Sequence, residues 1–138
     1  MKKDEEITRN LSLIEYYKEQ LNNLNYQSQI TQAAILEFQK AKITIDQLKK
    51  SDKNSEILIP IGGGTYLNGL LKNESNVLVD VGSGIVIEKD LDSAIKKIDE
   101  RIKNLQESQE KIVSMAQRIE LEATELSEKT QKLVEESK

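Results

Sequence analysis

Few side chains in this sequence could do chemistry. Glu120, Glu122 and Glu125 recur at helical spacing. Carboxylates act as general acids or bases only where a pocket shifts their pKa. These three stand among other charged and polar residues, so they read as a solvated helix face. The other candidates are two glycine loops, Gly62-Gly63-Gly64 and Gly82-Ser83-Gly84, because successive glycine N–H groups can cradle a phosphate. GGGTYLNG does not match G-x-x-x-x-G-K-[ST], and G-x-G-x-x-G fails at its last position, where Leu67 stands. No lysine follows the loop and no helix begins there, so both loops read as hairpin turns. The chain has no cysteine and no histidine, which removes disulfides, thiolate and imidazole metal sites, Cys nucleophiles and His-dependent triads. We therefore assign no catalytic, metal-binding or cofactor-binding residue and expect a protein that is not an enzyme.

The elements around these loops explain them better than chemistry does. All six glycines and the one proline fall between Glu56 and Lys89. Between them lie runs of Ile, Val and Leu, the pattern of strands with turn punctuation. The expected strands are Ile57–Ile61, Thr65–Leu71, Val77–Val81 and Ile85–Glu88. They form two tight hairpins, with Ile57, Ile59 and Ile61 on one face and Val77, Val79 and Val81 on another. Pro60 lacks an N–H and belongs on a strand edge or at a non-bonded ladder position.

On either side the sequence reads as helix. Positions spaced alternately by three and four in the first arm are Ile7, Asn10, Ile14, Tyr17, Leu21, Leu24, Ser28, Thr31, Ile35, Phe38, Lys42 and Ile45, eight of the twelve apolar. In the second arm they are Leu91, Ile95, Ile98, Ile102, Leu105, Gln109, Ile112, Ala116, Ile119, Ala123, Leu126, Thr130 and Leu133, eleven of the thirteen apolar. Both are coiled-coil seams. The expected organisation is a first helix over 7–50, a double hairpin over 56–89 and a second helix over 90–135, started by Asp90 or Asp92 as N-cap. The uncharged stretch Asn22–Gln32 is a register-setting polar layer or, alternatively, a flexible joint. If residue i faces about 140 − i in an antiparallel pair, Asn10 shares a layer with Thr130 and Thr31 shares one with Gln109, and such layers fix register.

One Phe, no Trp and 32% charged residues leave little for a large core, so an elongated shape is expected. The net charge of −4, with both signs interleaved, offers no basic stripe to nucleic acid. The N-terminal MKKDEE has no apolar core of a signal sequence, and the uncharged run Ile57–Leu71 is interrupted by Pro and Gly, so no membrane association and a cytoplasmic location are expected. Two hairpins alone are marginal in water, and their open edges recruit other strands. With the two helices occupied by each other, nothing within one chain covers the hairpins, and several subunits must join them into a shared sheet or barrel. Ile57, Ile59, Ile61, Leu67, Leu71, Val77, Val79, Val81, Ile85 and Ile87 are the expected assembly residues. Gly62, Gly63, Gly64, Gly82 and Gly84 make the turns. The far ends of the helices, with one partner each, are expected to fray and expose Ile7, Leu11, Ile14, Leu126 and Leu133 as a binding surface.

The motifs Ile59-Pro60-Ile61-Gly62-Gly63-Gly64 and Val81-Gly82-Ser83-Gly84, in this order between two long helices, resemble those of the α-type subunit of prefoldin, an archaeal and eukaryotic co-chaperone. The resemblance covers essentially the whole chain, 1–138, and two hairpins rather than one mark the α class. It departs at Gly63 and Thr65-Tyr66, where the family often has Ala and Ser-Phe. The resemblance implies a mainly α fold, an antiparallel two-helix coiled coil whose hairpins assemble into β-barrels between subunits. It also implies a hexamer of two α-type and four prefoldin β-type subunits. Such a complex holds unfolded client proteins at its coiled-coil tips without ATP or another cofactor and passes them to a group II chaperonin. The alternative is a structural scaffold, in which hairpins join end to end into filaments.

Overall fold

The computed structural model describes residues 2–137. Helix α1 is Lys2–Leu48, strands β1–β4 are Glu56–Gly62, Thr65–Leu70, Asn76–Gly82 and Ile85–Asp90, and helix α2 is Leu91–Glu136. The helix starts at Lys2 rather than at the expected Ile7: the acidic Asp4 and Glu5 in the first turn suit the positive end of the helix dipole and carry the helix toward the N-terminus. At its other end the backbone N–H of Ser51 donates to the Leu48 carbonyl, and Asn54 then turns the chain with a φ of 68°. Of the two candidate caps for α2, Asp90 is the one used. Its carboxylate accepts from the Ser93 N–H at 2.7 Å and from the Ser93 hydroxyl at 3.1 Å, satisfying a donor that the first helical turn leaves free.

The strands pair only within hairpins, β1 with β2 and β3 with β4, both antiparallel. The two hairpins are variations on one local sequence. Pro60-Ile61-Gly62-Gly63-Gly64 and Asp80-Val81-Gly82-Ser83-Gly84 each place a bulge before the turn, and each turn has two residues at positive φ, 58° and 70° at Gly63-Gly64, 54° and 76° at Ser83-Gly84. Left-handed conformation at both central residues is the requirement of the type I′ turn that matches strand twist. Pro60 is paired with Tyr66 in a sheet where every strand is an edge, as a residue without an N–H requires.

The chain divides into two compact units. In the terminal unit, residues 1–35 and 105–138, the two helices pair antiparallel: Lys3 Nζ lies 3.5 Å from Glu136, Lys129 Nζ 3.9 Å from Glu6, and Gln109 donates to the Ser28 hydroxyl at 2.6 Å. In the hairpin unit, residues 36–104, the same antiparallel register holds, with Lys42 Nζ 2.8 Å from Asp99 and Lys49 Nζ 2.7 Å from Asp92. All twenty-five seam positions named above are buried or half-buried. The register departs in one layer. Gln109 bonds Ser28 rather than meeting Thr31, whose hydroxyl donates to the Gln27 carbonyl of its own helix; a long amide reaches the neighbouring seam residue one turn away.

The hairpin unit corrects a second expectation. Its core is Ile45, Leu91, Ala94 and Ile98, and Val77 and Val79 of β3 pack against it together with Phe38, Ala41 and Leu48. The helices are thus not fully occupied with each other. Ala41 and Ala94 lie beside the seam, Ala94 with no exposure at all, and side chains this small let a strand approach the helix pair closely. Arg101 fixes the docking: its guanidinium donates to the Asp80 carbonyl at 2.8 Å and sits 5.7 Å from the centre of the Phe38 ring, a cation–π contact.

Candidate functional site

Two surfaces stand out, one in each unit. In the hairpin unit the first hairpin is uncovered. Ile57 and Leu71 are half-buried, but Ile59, Ile61 and Leu67 are exposed on one side, and Leu58, Tyr66 and Leu70 add further exposed apolar groups. Gly69 lies beneath the first two isoleucines, where an added Cβ would come within 3.1 Å of Ile59 Cδ1. In the second hairpin Val77, Val79 and Val81 are half-buried, while Leu78 is 72% exposed and Ile85, Val86 and Ile87 are open as well. Between β3 and the helices runs an apolar groove of about 400 Å³, lined by Phe38, Ala41, Ile45, Leu48, Val79 and Arg101 among others. Patches of this kind mark interaction surfaces. Around them the electrostatics are structural. Hydrogen bonding to Asp99 holds Lys42 above its usual pKa, and the same contact with Asp92 raises Lys49. The two hydrogen bonds from Ser93 hold Asp90 below the ordinary carboxylate range.

In the terminal unit the sequence-derived binding residues divide. Ile7, Ile14, Leu126 and Leu133 line the seam and are half-buried between the helices, whereas Leu11 is exposed. Sequence periodicity missed Leu13, Tyr16 and Leu121, which are also exposed because they lie off the seam. Their signal was present as large apolar residues outside the three-four pattern. The seam of this unit is mostly apolar and half-buried, interrupted by Asn10, Ser28, Thr31, Gln109 and Thr130. Leu24 is its one buried hydrophobic residue among the described residues, while Asn10 and Thr130 are buried to 8% and 4% exposure. The Thr130 hydroxyl donates to the Leu126 carbonyl at 2.7 Å, and neither Asn10 Nδ2 nor Gln109 Oε1 has a hydrogen-bond partner. A buried polar atom left unpaired costs about 1–3 kcal/mol. Tyr17, desolvated and beside the Glu122 carboxylate, has its pKa raised.

The carboxylate cluster stays where solvent reaches it: Glu120, Glu122 and Glu125 are all exposed. No group of three or more His, Cys, Asp or Glu among the described residues could hold a metal ion. No described helix is long and apolar enough to cross a membrane.

Geometry of this kind defines a class: a paired-helix chain that carries two apolar, largely uncovered hairpins. The family model for the Prefoldin subunit matches residues 17–136, and the chain belongs to the prefoldin family, on the α-type side that its two hairpins indicate. Among its relatives, the Prefoldin subunit alpha of Methanobrevibacter smithii is 34% identical over 109 residues, covering 79% of this chain and 74% of that one. That of Archaeoglobus fulgidus is 31% identical over 121 residues, covering 86% and 87%, and that of Thermococcus onnurineus is 41% identical over 100 residues, covering 62% and 68%. In fold the chain is similar to a subunit in the cryo-EM structure of filamentous PFD from Methanocaldococcus jannaschii, with a TM-score of 0.60, 24% identity and coverage of 89% and 96%.

Proposed function

We propose that this chain is the α-type subunit of an ATP-independent co-chaperone, a cytoplasmic complex with no catalytic activity of its own. The observation that carries the reading is the first hairpin, whose Leu58, Ile59, Ile61, Tyr66, Leu67 and Leu70 are exposed and stand apart from the packed core. In the complex, strands of two such subunits and four β-type subunits close into barrels through Ile57, Ile59, Ile61, Leu67 and Leu71 of the first hairpin and the open side of the second, removing every edge. The helix ends that carry both chain termini hold unfolded clients through Leu11, Leu13 and Tyr16, joined by Ile7, Ile14, Leu126 and Leu133 when the seam frays. Several weak apolar contacts of this kind add through multivalency, so a client is retained firmly and handed stepwise to a group II chaperonin.

The test is twofold. Native mass of the complex recovered with the tagged chain should give a closed hexamer with two copies of this subunit. Suppression of aggregation of a denatured client should be lost when the residues before Leu21 and after Ile119 are removed; unchanged suppression after that truncation would falsify the client reading. A second reading, a filament-forming scaffold, draws support from the filamentous assembly of the M. jannaschii neighbour, and a polydisperse ladder built from this chain alone would favour it.

A further inference from the structure

We infer that Asn10 is a client-binding residue, whose carboxamide hydrogen-bonds the main chain of a captured segment once the terminal helix pair opens. This rests on the capture function proposed above and names the group that recognises the polypeptide backbone. In the closed pair Asn10 is buried, yet its Nδ2 donates to nothing; the hydroxyl of the buried Thr130 donates to the Leu126 carbonyl and accepts nothing from that Nδ2. An asparagine retained to set register would be expected to bond across the seam; this one does not. Closure therefore leaves a donor unsatisfied, and opening relieves it.

The position suits the task. Ile7, Asn10 and Ile14 follow at intervals of three and four on α1, so opening presents one stripe with an amide between two apolar side chains. An unfolded polypeptide brings apolar side chains together with carbonyl groups that lose water when it is bound, and a wholly apolar stripe would leave those carbonyls unpaired. The boundary of the opening is also visible. The next polar layer is bonded, Gln109 to Ser28 at 2.6 Å, close in sequence to the buried Leu24, whereas beyond Asn10 the helices are joined by exposed ion pairs at 3.5 and 3.9 Å, which hold weakly.

Two sets of variants of the full-length chain, in the assembly it forms, test this with fluorescently labelled β-casein, an unfolded polypeptide free of cysteine. The chain has no cysteine of its own, so Ile14→Cys with Leu126→Cys, residues at one level of the register, introduces a single clamp. Oxidation should weaken β-casein binding at least tenfold and reduction should restore it; equal binding in the two states, or a pair that never oxidises, overturns the proposal. Asn10→Leu should raise the unfolding temperature and weaken binding about tenfold, with Asn10→Gln within threefold of the parent. Unchanged or tighter binding by Asn10→Leu, the result of purely apolar capture, overturns the role of the amide. Absence of binding by the parent chain itself would instead overturn the capture function.

Discussion

The same two helices build two different interiors. In the hairpin unit the seam closes on Ile45, Leu91, Ala94 and Ile98 with a strand packed beside it; in the terminal unit it holds one buried leucine, a buried Asn, a buried Thr and a Gln–Ser bond. Periodicity alone makes both a coiled coil. The identity of the seam residues makes the first a continuous apolar core and interrupts the second with polar layers, where burial stabilises less because the polar groups recover little more than water already gave them.

Truncation of the core should show the difference most strongly. Ile98→Ala removes a side chain packed against both helices and β3, and should cost about 2–4 kcal/mol. Thermal unfolding followed by circular dichroism checks it; a cost no larger than that of Leu24→Ala would remove the distinction between the units. A change of opposite sign belongs to the terminal unit: Asn10→Leu exchanges an unpaired buried amide for an apolar side chain and should stabilise the helix pair by about 1–2 kcal/mol, read as slower amide exchange in residues 5–20. Destabilisation there would mean that Asn10 is satisfied in solution.

Titration loosens the hairpin unit at both ends of the pH range and the terminal unit at the alkaline end. Asp90 has a folded-state pKa below its ordinary 3.8, so its contribution is present above that pH and is lost as pH falls through the folded value. Acid should therefore loosen the start of α2 in the hairpin unit, and Asp90→Asn, which keeps a capping oxygen, should blunt that acid limb of the unfolding curve. Lys42 and Lys49 are raised above 10.5, so their contribution is complete below that pH and fades as pH rises beyond it. Tyr17 in the terminal unit, raised above 10.0, behaves likewise at the alkaline end, and an ultraviolet titration of its phenol should report a midpoint above that ordinary value.

The smallest effect concerns the two turns. Ser83 occupies the left-handed conformation that Gly63 adopts freely, and Ser83→Gly should relieve up to about 1 kcal/mol of strain in the second hairpin; a loss of stability would show that the serine makes a compensating contact.

Much of this was legible in the sequence. The three-four spacing marked every seam residue, and glycine placement marked both turns, because each signal is local. What escaped needed the third dimension. Ala41, Ala94 and Leu48 sit just outside the seam, so a narrow apolar stripe left Val77 and Val79 without a seat, although paired alanines beside a seam are a sign of close approach. The Arg101 contact with the Asp80 carbonyl joins a helix to a strand end twenty-one residues away and leaves no periodic trace. The exposure of Tyr16, Leu13 and Leu121 leaves no trace for the opposite reason: a three-four pattern carries no signal for apolar residues that lie off it.

The connections around the first hairpin have a consequence for kinetics. The Asn54 N–H donates to the Leu71 carbonyl at 2.7 Å and the Leu71 N–H to the Ser55 carbonyl at 2.9 Å, while the Asn73 side chain accepts from the N–H groups of Ser75 and Asn76. The first two stitches close the base of the first hairpin within the chain itself, and the Asn73 turn orders the link to the second. In the assembly proposed above, a partner strand would meet a template whose shape is already set, with the entropy of ordering it spent during folding rather than at encounter. In that assembly, loosening the Asn54–Leu71 stitch would slow association while leaving every residue of the contact surface unchanged.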